Sequence, residues 1–401
     1  MFRITAIAAL LVVATGSIAQ ADLVETTAKR VHIVDADSGL VLLSRGADEP
    51  FPPGSFAKLM TAEIVFHALE EGRLSPDTEF QVSEHAWRMG GAPSRTATMF
   101  AKLKSSVPVA DLLQGLTVQM ANDAAIVLAE GMKGSEEAFA QAMNERAKEL
   151  GLKNTHFVNP TGLPAQGHHV TARDMTALAM HLWRAYPERY ALFSQPAFEW
   201  NRIFQRNKNP LINLNIGADG LMTGFAEGYG FSVVASASNG ERRVFATIAG
   251  LETEAERVEE ARKLLQWALD GFTKRQMFAA HQKVGEVDVY GGEKKTVGLR
   301  VGDAVSVLAP VDNPSALHVR IVYQRPLPAP IREGDVVGEL QVWVGDTLSS
   351  RADLYAAETV EYGTLSQRAF GAVAELLVGW LRQLSWDRVE AKMKAVAKTP
   401  S

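Results

Sequence analysis

Ser55 and Lys58 stand three residues apart in the stretch Pro52-Pro53-Gly54-Ser55-Phe56-Ala57-Lys58. A serine hydroxyl is a poor nucleophile until a neighbouring base takes its proton. On a helix, positions i and i+3 share a face, so a helical reading puts the lysine amine beside the hydroxyl. The Pro-Pro-Gly entry exposes Ser55 at the helix start, where the helix dipole favours negative charge developing on oxygen. The chemistry is acyl transfer, with Ser55 as nucleophile and Lys58 as its base. Standing alone, a serine three residues before a lysine is common, so its weight depends on the rest of the chain.

Other chemistries find less support. His168-His169 with Asp174 could suggest a metal, but no H-E-x-x-H pattern accompanies them, and they read as surface or loop residues. His156 and Asn159 read as fixing a turn. The chain has no cysteine, which removes disulfides, thiolate metal sites and a cysteine nucleophile together. Gly90-Gly91 and Gly228 to Gly230 read as turns, since no G-K-[ST] follows them. No metal and no cofactor are expected.

The elements that must position Ser55 and Lys58 follow from periodicity. Residues 31–43 alternate around Ser38-Gly39 as a hairpin would. From Ser55, apolar residues Leu59, Met60, Ile64, Val65 and Leu69 recur at helical spacing until Gly72. Residues 109–131 read as another helix-like region, and Ser135-Glu136-Glu137 opens a helix running to about Leu150. Residues 171–194 read as a helix with Thr171 as N-cap and Asp174 as its box partner. Residues 229–237 and 243–251 read as strands joined by Asn239-Gly240, a two-residue hairpin signal. Residues 253–272 return to helix. Strands at both ends with helices between them imply a mixed core on an antiparallel sheet.

From about Lys283 short alternating runs predict a small all-β module. Farther on, Phe370, Val373, Leu377, Trp380, Leu381 and Leu384 recur at three- and four-residue spacing. Residues 364–384 are therefore expected to form an amphipathic helix, read as lying on a membrane surface. At the other end, Arg3, the apolar run Ile4 to Thr15 and Ala19-Gln20-Ala21 form a signal-peptide pattern with cleavage after Ala21. Removing Arg3 with that leader takes the net charge from −5 to −6. No basic surface argues for nucleic acid. The organisation expected is a signal peptide over 1–21, a catalytic domain over 22–275, a small β-rich domain over 276–360, and a helix and tail over 361–401.

Five stretches then occur in a fixed order. These are Ser55-Phe56-Ala57-Lys58-Leu59-Met60-Thr61, Val118 to Ala124, His156 to Leu163, Thr171 to Met175, and Ala218-Asp219-Gly220-Leu221-Met222-Thr223-Gly224-Phe225. Together they resemble the D-alanyl-D-alanine carboxypeptidases, low-molecular-mass penicillin-binding proteins of the S-x-x-K serine acyl enzymes. The resemblance covers the mature chain to about residue 345, and the β module and amphipathic tail match the family's layout. It implies an α/β (α+β) catalytic domain of the serine β-lactamase/transpeptidase-like kind, with an antiparallel sheet and a helical subdomain. It implies removal of the terminal D-alanine from peptidoglycan stem peptides through a Ser55 acyl-enzyme, with β-lactam antibiotics as covalent inhibitors. It implies Asn122 orienting the substrate amide, Met222, Thr223 and Gly224 lining the cleft, and Thr223 with Arg257 meeting the substrate carboxylate. The Ser55 backbone N–H and one from the strand after Gly224 would hold the oxyanion. The implied location is the periplasm, peripheral on the inner membrane through residues 364–384.

Two positions depart from the family's pattern. Its second motif reads Ser-x-Asn where this chain has Met120-Ala121-Asn122, and its third reads Lys-Thr-Gly where this chain has Met222-Thr223-Gly224. Methionine carries neither a charge nor a transferable proton. The alternative reading is therefore a catalytically impaired homologue that binds peptidoglycan or acts as a scaffold. A β-lactamase or esterase on the same fold is disfavoured by the β module and tail.

Overall fold

The computed structural model describes residues 24–311, 317–324, 327–344 and 347–365. The expected leader over 1–21 lies outside them, as does all but the first two residues of the expected helix over 364–384. Among the described residues, those up to Phe272 form one compact unit and those from Thr273 another. No described helix is long and apolar enough to cross a membrane.

The first unit opens with strands β1 (Arg30–Asp35) and β2 (Val41–Arg45). A 3-10 turn over Gly54–Phe56 leads into helix α1 (Ala57–Glu70). Next come β3 (Glu79–Gln81), α2 (Glu84–Met89), β4 (Ser106–Pro108), α3 (Val109–Val118), α4 (Asn122–Lys133) and α5 (Glu136–Glu149). Beyond a long loop lie α6 (Ala172–Ala185), the short α7 (Pro187–Tyr190), and the hairpin β5 (Ala197–Trp200) and β6 (Ile203–Arg206). Strands β7 (Ala218–Ala226), β8 (Gly230–Ser238) and β9 (Arg243–Leu251) and helix α8 (Glu254–Asp270) complete the unit.

Strands β2, β1, β9, β8 and β7 form one sheet in that order, with every pair antiparallel. Both faces are covered, which is why β9 is buried almost throughout. Successive strand residues point to opposite faces. Phe245 and Ala249 join the core built on α1, α3, α4 and α6, and Thr247 between them meets Thr176 of α6 at 2.9 Å. Val244, Ala246 and Ile248 face the other way, beneath α8. Burying large apolar side chains at roughly 1.5–3 kcal/mol each is the main force holding sheet and helices together. Strand β7 is the sheet's edge, and its free side is the one that Gly54 approaches.

Three local expectations are corrected. Residues 109–131 are two helices, because Met120 takes a left-handed conformation (φ 54) between them. The apolar pattern runs through the break since Met120 remains buried. The helix expected over 171–194 ends at Ala185, where Pro187 holds Tyr186 out of helical geometry. Strands β8 and β9 are joined by the four residues 239–242 rather than by two, because Ser238 pairs with Arg243. The Asn239 side-chain oxygen accepts the Arg242 N–H at 2.9 Å, a side-chain-closed turn. It sends the Arg242 guanidinium to Asp35 at 2.9 Å and to the Leu269 carbonyl at 2.8 Å. Thr171 caps α6 as expected, accepting from the Asp174 N–H, but Asp174 does not close the box, because its carboxylate accepts from the Asn154 N–H and the Thr155 hydroxyl at 2.9 and 2.7 Å; at the start of α5 Ser135 accepts from the Ala138 N–H.

The second unit is all β. Strands β10 (Phe272–Phe278), β11 (Lys283–Tyr290), β12 (Thr296–Val301), β13 (Val305–Pro310), β14 (Leu317–Val322), β15 (Leu327–Pro328), β16 (Val336–Val344) and β17 (Thr347–Ala356) follow in sequence. Six of them form a sheet in the order β14, β16, β17, β12, β11, β15 over a core that includes Val297, Leu299, Leu340 and Leu354.

Candidate active site

Three backbone segments meet around Ser55. Gly54 has φ 50, and a Cβ there would lie 2.9 Å from the Phe225 carbonyl oxygen on β7. Gly162 has φ 82, and a Cβ there would fall 1.6 Å from the Gly54 carbonyl oxygen. Only glycine fits either position. Ser55 sits half-buried in the 3-10 turn that α1 continues, rather than as the first α-helical residue.

The turn and helix bring Lys58 Nζ to 3.4 Å from Ser55 Oγ. The same amine donates to the Thr161 carbonyl at 2.5 Å. Lys58 is 1% exposed. Burial disfavours its ammonium form and pulls its pKa down to about 7, against the opposing pull of the Asp123 carboxylate. A neutral amine near neutral pH, with one N–H fixed on a carbonyl and a lone pair free for a hydroxyl, is equipped to act as a general base.

The Thr161 carbonyl is itself held. Asn159 Oδ1 accepts from the Thr161 N–H, the Thr161 hydroxyl and the Gly162 N–H at 3.2, 2.9 and 2.7 Å. Thr61 of α1 donates to the Pro160 carbonyl at 2.8 Å. Antiparallel bonds between His156 and His169 close the base of this loop. His168 corrects the surface reading: it lies in the loop but is buried, and burial lowers its pKa to about 4, so the imidazole is neutral.

One wall of the cleft is the break between α3 and α4. Asn122 N–H donates to the Ala97 carbonyl at 2.7 Å, and its side-chain N–H to Thr96 Oγ1 at 2.9 Å. Its side-chain oxygen is buried with no partner. Asp123, fully buried, accepts from the Thr98 hydroxyl at 2.6 Å and from the N–H groups of Met99, Ala101 and Ala124 at 2.9, 3.0 and 3.0 Å. It folds residues 96–101 against the start of α4.

The other wall is β7. Met222 is wholly buried in the core shared with the helices. Thr223 reaches across, its hydroxyl 3.6 Å from Met120 Sδ, so a weak O–H···S contact joins the walls. A Cβ on Gly224 would touch the Phe56 ring at 3.2 Å. Arg257 is not brought into contact with Ser55. It is buried on α8, pairs with Glu254 at 2.7 Å and lies over the Phe231 ring at 5.7 Å. Phe231 in turn packs on Phe225, with ring centroids 4.8 Å apart. The structure therefore gathers Ser55, Lys58, Asn122, Thr223 and Gly224 around one cleft, with Met120 between the walls and Arg257 two aromatic rings away.

Sequence reasoning missed the roles of Asp123, Thr96 and Thr161. Asp123 carried a signal as an acid in the first turn of a helix; Thr161 acts through a backbone carbonyl, which side-chain chemistry does not announce.

Comparison with known proteins agrees with this geometry. The chain is 35% identical over 351 residues to the D-alanyl-D-alanine carboxypeptidase DacC of Escherichia coli, covering 87% of this chain and 88% of that one. The chain belongs to the D-alanyl-D-alanine carboxypeptidase family. The model of that carboxypeptidase family matches residues 15–253, and the model of the penicillin-binding protein 5 C-terminal domain matches residues 272–362. Among solved carboxypeptidase structures, DacD from Francisella tularensis is 27% identical with a TM-score of 0.74, covering 84% of this chain and 95% of its own. Penicillin-binding protein D2 from Listeria monocytogenes, solved in its ampicillin-bound form, is 27% identical with a TM-score of 0.52 and covers 61% of this chain and 97% of its own. The similarity bears out the expected fold, an acyl-enzyme domain with antiparallel sheet and helices followed by an all-β domain. None of these similarities favours the scaffold reading.

Proposed function

We propose that the chain is a serine carboxypeptidase that removes the terminal D-alanine from peptidoglycan stem peptides through an acyl-enzyme on Ser55. One observation carries the reading: a buried amine, its pKa drawn down to about 7, stands 3.4 Å from a serine hydroxyl at the mouth of a cleft.

In this mechanism neutral Lys58 takes the Ser55 proton as Oγ attacks the carbonyl between the two D-alanines. The oxyanion lies near the N–H of Ser55 and that of Phe225, whose backbone packs against Gly54. Asn122, with its side-chain oxygen free, accepts the substrate amide N–H. The leaving D-alanine nitrogen needs a proton. Met120 and Met222, standing where the family has serine and lysine, cannot supply one. Lys58, protonated in the first step, returns it to that nitrogen, and neutral Lys58 then takes a proton from the water that cleaves the ester. Thr223, with Arg257 behind the two phenylalanines, is assigned to the substrate carboxylate.

β-Lactams are expected to acylate the same serine. The leader pattern and the amphipathic periodicity over 364–384 support secretion to the periplasm and peripheral attachment to the inner membrane. Labelling with a fluorescent penicillin tests the site: the full chain is expected to be labelled and Ser55→Ala to stay dark. Equal labelling of both would refute the assignment. Release of D-alanine from a pentapeptide tests turnover.

A further inference from the structure

The rim beside the asparagine wall carries charge that the mechanism leaves unused. Residues 95–104 and 201–217 contain no aspartate or glutamate, in a chain of net charge −5. Arg95, Lys102 and Lys104 on the first segment, and Arg202, Arg206 and Lys208 on the second, are exposed, and none forms an ion pair among the described residues. Elsewhere in the unit exposed arginines meet carboxylates, as Arg88 does Glu84, Arg173 does Asp48 and Arg73 does Glu71.

The two segments lie side by side at the cleft. Asn201 Nδ2 donates to the Phe100 carbonyl at 3.1 Å, and Gln205 Nε2 to the Met99 carbonyl at 3.2 Å. Each is also tied to the wall that carries Asn122: Asn122 N–H donates to Ala97 on the first, and Lys208 N–H donates to the Val118 carbonyl at 2.9 Å from the second. Between them runs a groove of about 490 Å³ lined by Trp87, Phe100, Leu103 and Ile203, with Lys102 at its edge. Hairpin residue Phe204 adds an exposed ring, and Glu199 opposite it is the hairpin's single acid.

We propose that this rim binds the part of the substrate upstream of the scissile bond, as a peptide carrying free carboxylates. The proposal rests on the reading of Ser55 as the site of cleavage. A peptide with its terminal D-alanines at Ser55 crosses the Met120–Asn122 wall to reach the rim. Its aliphatic stems then lie in the groove, and its carboxylates meet a row of unpaired cations. Each exposed pair contributes roughly 0.2–1 kcal/mol and is screened by salt, so the effect is a preference for acidic peptides at low ionic strength.

The test measures binding without turnover, using full-length Ser55→Ala protein. Two synthetic pentapeptides ending in D-alanyl-D-alanine are compared, one with two free side-chain carboxylates and one with both as amides. At about 50 mM salt the diacid is expected to bind about tenfold more tightly, and at about 500 mM the advantage should shrink to about twofold. Adding Lys102→Glu with Arg202→Glu is expected to erase it. Equal affinity of the two peptides, or an advantage that survives the double reversal, would overturn the proposal. So would rim-dependent binding of anionic lipid vesicles with no discrimination between the peptides. Both residues are exposed, so the double reversal is expected to melt at the parental temperature, which reports a folded chain. A parent chain that fails to label would count against the Ser55 reading and leave the binding comparison standing.

Discussion

The sharpest consequence of the site is its pH profile. Varying pH titrates Lys58, the base placed 3.4 Å from Ser55, whose pKa burial has drawn to about 7. With that midpoint, about one amine in ten is neutral at pH 6 and about nine in ten at pH 8. The second-order rate of acylation by a fluorescent penicillin, read from stopped-flow or gel quantification, should rise about tenfold over that interval and then level off. An ordinary lysine, titrating near 10.5, would give about a hundredfold rise over the same interval and no plateau before pH 10. Lys58→Ala should remove the rising limb along with nearly all the rate. A profile that is flat between pH 6 and 8, or one that still climbs at pH 9, would refute the assignment of Lys58 as a base neutralised by burial.

Further outcomes follow from the same contacts. The unfolded chain holds the Lys58 proton more tightly than the folded one, so stability is expected to rise with pH from about 7 toward 10.5. Lys58→Met should remove that slope in denaturant titrations and raise the thermal midpoint most below about pH 7; an unchanged slope would contradict it. Met120→Ser combined with Met222→Lys should raise penicillin acylation at least tenfold by supplying a proton path, on the scale of roughly 10²–10³ seen for single polar groups in such sites. No gain would show that these positions do not limit the reaction. The lysine enters a fully buried position, so a lower melting temperature is expected alongside. Gly162→Ala would drive a methyl into the Gly54 carbonyl and is expected to lower acylation at least tenfold and the melting temperature as well. Asp123→Ala strips four buried donors of their acceptor. It should cost at least about 3 kcal/mol in urea unfolding, on the scale of one to two lost buried partners; a loss under about 1 kcal/mol would argue that water replaces the carboxylate.

What the sequence made legible is what repeats or is local. The S-x-x-K spacing places its pair on one face, and short spacing survives folding with little distortion. The caps at Ser135 and Thr171 are local bonds, and so they appear where expected. The strand periodicity of the second unit is read in the same way. The break at Met120 was hidden because hydrophobic periodicity records burial, and the residue stays buried while its backbone turns. The Thr161 carbonyl depends on a tertiary contact between residues 103 positions apart, which no window on the sequence can span. Arg257, assigned to the substrate carboxylate from resemblance, stacks on Phe231, which packs on Phe225, a chain of ring contacts that sequence spacing does not show.

Gly54 packs between Gly162 and the backbone of Phe225 with main chain meeting main chain on both sides. Three stretches of main chain from distant parts of the molecule touch directly, and main chain cannot repack by changing rotamer. Catalytic competence and the native fold should therefore vanish in a single step, so that amides at these two glycine-lined contacts exchange with deuterium only through the same global opening that abolishes penicillin capture.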